Sequence, residues 1–145
     1  MGKRQDIITG LKAQLATISV ANGYNTNMGS NVVEWRLSPI SDAQLPMVEI
    51  RDSESNVSED MNNVLSNKTL DIAITVYNTV STAGTTARLY IEDVLKAIST
   101  DLSLGGAAYD LNEGVSTIEA SQDSDIIIAA IVNITAEYQV NKWSD

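Results

Sequence analysis

The chain contains no cysteine and no histidine. These two absences exclude disulfide bonds, thiolate or imidazole metal ligands, and catalysis by a Cys–His or Ser–His pair. Positive charge is also scarce, because 9 Lys and Arg residues stand against 19 Asp and Glu residues, a formal net charge of −10. A protein that binds nucleic-acid phosphates needs a basic surface, so this balance argues against that class.

The length and the sequence patterns predict one domain, residues 1–145, built in the cytosol. A chain of 145 residues is long enough to bury a core, and its apolar fraction is ordinary for a globular protein. Lys3 and Arg4 are followed by amphipathic sequence, so we expect no secretory signal. The longest apolar run, Asp125 to Val140, is too short, and too interrupted by Asn133 and Glu137, to span a membrane as a helix.

Two stretches alternate as long β-strands, Asp125 to Val140 and Lys68 to Val80. Successive side chains of a strand point to opposite faces, so each stretch has one aliphatic face made by its even-numbered residues. The odd-numbered residues from 69 to 79 are mostly hydroxylated, which is typical of a sheet with one face covered by helices. The apolar residues of these faces are Leu70, Ile72, Ile74, Val76 and Val80 in one strand, and Ile126, Ile128, Ala130, Val132, Ile134, Ala136, Tyr138 and Val140 in the other.

The remaining elements complete an α+β fold. Apolar spacing predicts helices from Lys3 to Asn22 and from Ser81 or Thr82 to Ser99. Shorter strands are predicted around residues 32–37, 47–51 and 115–121, and residues 52–67 are predicted to be a mobile loop or an extended hairpin tip. We therefore expect a mostly antiparallel sheet of about five strands with two helices packed on one face.

Individual side chains in this scheme also receive predictions. Trp35 and Tyr138 are placed in the core. If the first two strands pair, Arg36 lies near Glu49 and Glu34 lies near Arg51 as surface ion pairs. Tyr77, on the hydroxylated face, is either covered by a loop or part of a subunit interface, where Tyr is favoured.

Paired acids are the one catalytic possibility that the residues leave. Carboxylate pairs can perform acid–base chemistry or hold Mg²⁺ or Ca²⁺. No pair has a third ligand or a general base at a telling spacing, so each is interpreted as solvated surface. We predict no catalytic, cofactor-binding or metal-binding residues. The pairs are Glu92 with Asp93, Glu59 with Asp60, and Asp123 with Asp125.

Two motifs resemble those of a known family. One is Ala21-Asn22-Gly23-Tyr24 with Thr26 and Gly29 after an amphipathic helix, then Trp35-Arg36 and Pro39. The second is Ile98 to Gly106, with Asp101 and Leu104-Gly105-Gly106 closing the second helix. On these motifs the sequence resembles the tail terminator (tail completion) proteins of tailed bacteriophages, similar to the lambda type. The resemblance implies a non-enzymatic α+β subunit whose copies, six in that family, form a ring that caps the tail tube, ends its growth and presents a surface to the neck.

The resemblance also implies partners and a location. The expected partners are copies of the same chain, the tail tube protein, the neck or head-connector protein, and the sheath protein if the tail is contractile. DNA would pass through an acidic lumen without specific binding. The expected location is the neck-proximal end of the tail in the virion, with assembly in the host cytoplasm and no membrane contact.

An interface with other subunits or with the tube is expected on the hydroxylated face and on the 52–67 segment. The candidate residues are Glu54, Glu59, Asp60, Met61, Ala73, Thr75 and Tyr77. Two other functional classes stay open: another head–tail joining or neck protein of a phage, and an acidic metal-dependent enzyme.

Overall fold

The fold is built on one five-stranded sheet, seen in a computed structural model that describes residues 2–40, 42–59, 64–79, 83–122 and 126–145. The elements in chain order are α1 (Lys3–Leu15), β1 (Val32–Glu34), β2 (Met47–Glu59), β3 (Leu65–Asn78), α2 (Ala83–Ser99), β4 (Asp110–Gln122) and β5 (Ile126–Asn141). The strand order across the sheet is β1-β2-β3-β5-β4. All pairs are antiparallel except β1 with β2, which is parallel.

The core lies between one face of this sheet and the two helices. The even-numbered residues of β3 and β5 from Leu70 to Val76 and from Ile128 to Val140 are buried, as the alternation predicts. The apolar sides of both helices join the same cluster. The predicted α+β class, with a mostly antiparallel sheet and both helices on one face, is therefore confirmed, and Tyr138 lies in the core as expected.

The first helix is shorter than predicted, because it ends at Leu15 rather than at Asn22. Ile18 continues the apolar stripe into the core, but its carbonyl accepts the N–H of Gly29 from the following loop. A Cβ at Gly29 would lie 2.7 Å from the carbonyl oxygens of Leu15 and Ile18. The backbone of that loop therefore approaches the helix end so closely that only glycine fits.

The first strand also differs from the prediction. It ends at Glu34, because Trp35 takes a left-handed backbone conformation with φ of 41°. The link from β1 to β2 runs back along the sheet, so the two strands pair in parallel instead of antiparallel. Trp35 is consequently not a core residue, and 48% of its surface is exposed.

The 52–67 segment forms most of an extended hairpin, as one of the two alternatives predicted. β2 continues to Glu59 and β3 starts at Leu65. The two strands pair from Glu59 opposite Ser66 to Met47 opposite Tyr77. A β-bulge interrupts β2 between Asp52 and Ser55, and a second bulge interrupts β4 between Glu113 and Ser116. The two bulges lie at nearly the same level of the sheet, on either side of the central strands.

Other predicted details have mixed outcomes. β4 begins at Asp110, earlier than the predicted 115. On α2, Lys96 donates to the Gly23 carbonyl and lies over the Tyr24 ring. The predicted cap at Ser81 or Thr82 falls outside the described residues. In the described part of the chain, no helix has the length and hydropathy needed to cross a membrane.

Candidate assembly surface

The sheet face opposite the helices carries the predicted interface residues Ala73, Thr75 and Tyr77. They lie in a row on β3, in register with Asn133, Ile131 and Ala129 of β5. These six residues are all half-buried. Towards the β2–β3 hairpin the same face becomes polar, with Thr69, Asp71, Thr135 and Glu137.

Glu49 organises one side of this face. It was expected on the surface, but it is 0% exposed. Its carboxylate accepts the backbone N–H of Arg36 at 2.8 Å and the hydroxyl of Tyr77 at 3.1 Å, and it forms an ion pair with Nε of Arg51 at 3.0 Å. A buried carboxylate is tolerated when it is paired and hydrogen-bonded, so this cluster fastens the residues after β1 onto the sheet.

Tyr77 is partly covered by those residues. The Arg36 guanidinium lies over its ring at 5.3 Å from the centroid, while the Tyr77 hydroxyl reaches Glu49. Arg36 approaches Glu49 as predicted, although through its backbone, and Arg51 pairs with Glu49. The residues after β1 therefore cover one side of the Tyr77 ring, as the first of the two alternatives predicted. The predicted role of Tyr77 in a subunit interface stays a prediction.

Trp35 stands at the outer edge of β2, just beyond β1. Its indole Nε1–H donates to Asp52 at 2.9 Å, and the Arg51 guanidinium lies 5.3 Å from its ring centroid. Arg4 of α1 holds Asp52 from the other side at 2.6 Å. Burial works to raise the pKa of Asp52, but the hydrogen bonds from Trp35 and Arg4 outweigh it and hold that pKa below its ordinary value.

The opposite edge of the sheet is β4. Nine consecutive residues of this strand, 112–120, are exposed, including Val115 (67%) and Ile118 (43%). Its bulge depends on Gly114, because a Cβ there would lie 2.7 Å from the Asn133 carbonyl oxygen. In the described chain, no strand pairs with the outer side of β4 or with the outer side of β2 beyond Ile50.

Shallow grooves follow the uncovered face between these edges. One of about 330 Å³ runs along the two bulges, past Ser53, Ala73 and Gly114. Another of about 370 Å³ lies near the hairpin and is lined by amide and hydroxyl side chains with Tyr109. Among the described residues, no group of three carboxylates is placed to hold a metal ion.

The acids that are paired in the sequence differ in burial, and Asp93 is not the solvated residue that was predicted. Asp93 is buried, and it accepts hydrogen bonds from the backbone and side chain of Asn25 (3.0 and 3.1 Å) and of Thr26 (2.9 and 2.6 Å). Its neighbour Glu92 is exposed. Asp60, Asp123 and Asp125 lie outside the described residues, as do Met61 and the side chains of Glu54 and Glu59.

Tyr24, Thr26 and Asp101, three of the residues behind the family resemblance, make structural contacts in this chain. The loop around Tyr24 and Thr26 is fastened to α2 through Lys96 and Asp93. Asp101 accepts from the N–H groups of Ser103 and Gly105, and these bonds, with the hydroxyl of Ser103, lower the pKa of Asp101. No model of a known protein family matches the chain, and no curated protein matches it either.

Three features of the two sheet edges were not predicted from the sequence: the exposure of Trp35, the burial of Glu49 and the exposure of β4. The exposure of β4 could have been inferred from its own residues. Val115 and Ile118 are three residues apart, so a regular strand would place them on opposite faces, and 110–122 contains no Lys, Arg or Pro. Neither Trp35 nor Glu49 carries such a signal, because both depend on the path of the chain after β1.

Proposed function

We propose that this chain is the tail terminator of a tailed bacteriophage. Its copies, six by analogy with the family it resembles, form a ring that caps the tail tube, ends its polymerisation and provides the attachment surface for the neck. The observation that carries the proposal is a rigid sheet backed by helices on one side only. Its other face and both edges are left for contacts with further protein.

The chemistry of the bare face supports protein contact. Small and hydroxylated side chains such as Ala73 and Thr75 allow a second surface to approach closely. Tyr77 offers apolar area with a polar tip, a combination that is enriched at interfaces. A specific interface needs about 1,600 Å² of total buried area, which a face of long strands can supply.

The charge of the chain supports a passage for DNA. With a net charge of −10, a ring of these subunits repels phosphates along its lumen, so DNA slides through without specific binding. The proposed partners are accordingly protein: the tube, the neck or connector, the sheath in a contractile tail, and other copies of the chain. The proposed site of action is the neck-proximal end of the virion tail.

The test mixes the purified protein with tail tubes. Light scattering should show a ring of about six times the 15.6 kDa chain, alone or with tubes, and negative-stain images should show the ring at one end of each tube. Particles made without the protein should carry overgrown tubes. Protein that stays monomeric in both conditions contradicts the proposal, and leaking heads with tubes of normal length indicate a different head–tail joining protein.

A matched pair of variants tests the bare face. Ala73→Arg places a long cation at the centre of that face, and we expect it to lose tube capping. Ala13→Arg makes the same change on an exposed position of α1 and should cap normally. If both variants cap tubes equally well, the uncovered face is not the contact surface.

A further inference from the structure

The ring that the proposed function requires must be closed by two different surfaces of the subunit. A cyclic ring with more than two members uses heterologous contacts, in which one patch of each copy meets another patch of the next. The subunit offers two open sheet edges on opposite sides. We call them the β4 edge, residues 112–120, and the Trp35 edge, formed by Trp35, Arg51 and Val57 along the outer side of β2.

The strand directions suit a side-by-side arrangement. β2 and β5 run the same way, and β4 runs opposite to both. Turning one copy about an axis parallel to the strands brings its β4 beside the β2 of the next copy. The two edges then meet antiparallel, which is the geometry that two free edges can join with backbone hydrogen bonds.

Both edges expose apolar side chains. The β4 edge presents Val115 and Ile118 together with the exposed side chains of Glu113 and Glu119. The Trp35 edge presents Trp35, Val57, which is 58% exposed, and Arg51, whose side chain is 44% exposed and is ion-paired with Glu49. Because residues 51–59 also include Asp52, Glu54 and Glu59, apolar contact and backbone pairing carry the fit, and opposite charges do not.

Trp35 has the properties of an interface anchor. Its left-handed backbone stores strain, and its ring is fixed from both sides by Asp52 and Arg51 although it stays half-exposed. Large aromatic residues held in place before binding contribute strongly to interfaces, because little side-chain entropy is lost on contact.

We propose that the β4 edge of one subunit pairs with the Trp35 edge of the next, and that this contact closes the ring. The inference rests on the proposed function, because it names the surfaces of self-assembly within that ring.

The test uses one variant for each edge in the full chain. Val115→Lys/Ile118→Lys blocks the β4 edge, and Trp35→Ala/Val57→Lys blocks the Trp35 edge. Each variant alone should lose the ring and run as a monomer in light scattering. An equimolar mixture should give dimers and nothing larger, because the one good edge of each variant meets the one good edge of the other.

Two controls protect this reading. Val20→Lys adds the same charge at an exposed valine away from both edges and should form rings normally. Urea unfolding of each edge variant shows that the monomer is folded.

The outcomes separate this inference from the proposed function. Rings formed by the wild type and equally by the edge variants overturn the edge pairing and leave the tail-terminator proposal standing. A wild type that never forms rings, with or without tubes, overturns both. An edge variant that forms dimers on its own indicates a two-fold contact between identical surfaces and also overturns the inference.

Discussion

The Glu49 cluster allows a quantitative test of how the residues after β1 are held on the sheet. Replacing Glu49 by Ala removes the acceptor of two hydrogen bonds and the partner of one ion pair at once. Arg51 is exposed enough to recover water, so its loss costs little. The N–H of Arg36 and the hydroxyl of Tyr77 are left without their acceptor in a partly buried setting.

The magnitude follows from those two donors. A buried donor without a partner costs about 1–3 kcal/mol, so Glu49→Ala should lower the free energy of unfolding by about 2–6 kcal/mol. Glu49→Gln keeps the shape and one acceptor oxygen, and should cost about 1–3 kcal/mol. Tyr77→Phe removes a single half-buried hydrogen bond and should cost about 1 kcal/mol.

Urea unfolding at neutral pH measures these differences. The midpoints should fall in the order wild type, Tyr77→Phe, Glu49→Gln, Glu49→Ala, with the slope unchanged if unfolding stays two-state. Glu92→Ala, an exposed acid on α2, should stay within about 0.5 kcal/mol of wild type. If Glu49→Ala is as stable as that control, the carboxylate does not fasten the chain and the reasoning fails.

Two further predictions concern buried or coupled acids. Asp93→Asn offers one acceptor oxygen to four donors, so it should lower the free energy of unfolding, measured in urea, by about 2–4 kcal/mol. Glu92→Gln beside it should change stability little. Equal stability of the two variants would contradict the role of Asp93. Asp52 has a lowered pKa in the folded state, so its stabilisation is complete above the unfolded pKa near 3.9 and is lost as pH falls through the folded pKa. The urea midpoints of wild type and Asp52→Asn should therefore converge on acidification from pH 5 to pH 2, and a constant gap would rule out this coupling.

Much of the fold follows from periodicity. The strands β3 and β5 are assigned by strict alternation from Leu70 to Val76 and from Ile128 to Val140, because burial on one face demands that pattern. The apolar side of α2 is equally clear from the spacing of its apolar residues. The features that failed depend on contacts outside the local pattern: the chain leaves α1 at Leu15, where the loop at Gly29 packs closely against the carbonyls of Leu15 and Ile18.

The candidate surface was predictable in part. The bare face was visible in the hydroxylated residues from 69 to 79, since one-sided burial leaves a polar side. The burial of Glu49 was not visible, because a carboxylate on an alternating strand is ordinarily exposed. It is buried only where the Arg36 backbone and the Tyr77 hydroxyl converge on it, and that convergence requires the parallel return of the chain into β2.

The two bulges, near Asp52 and near Gly114, interrupt the regular strand pairing at nearly one level of the sheet. Beyond them, the end of the β2–β3 hairpin is tied to residues 142–145 through contacts such as Lys68 with Asp145 and Lys142 with Val64. Amide protons in this end of the hairpin should therefore exchange with solvent through local openings that leave the rest of the sheet intact.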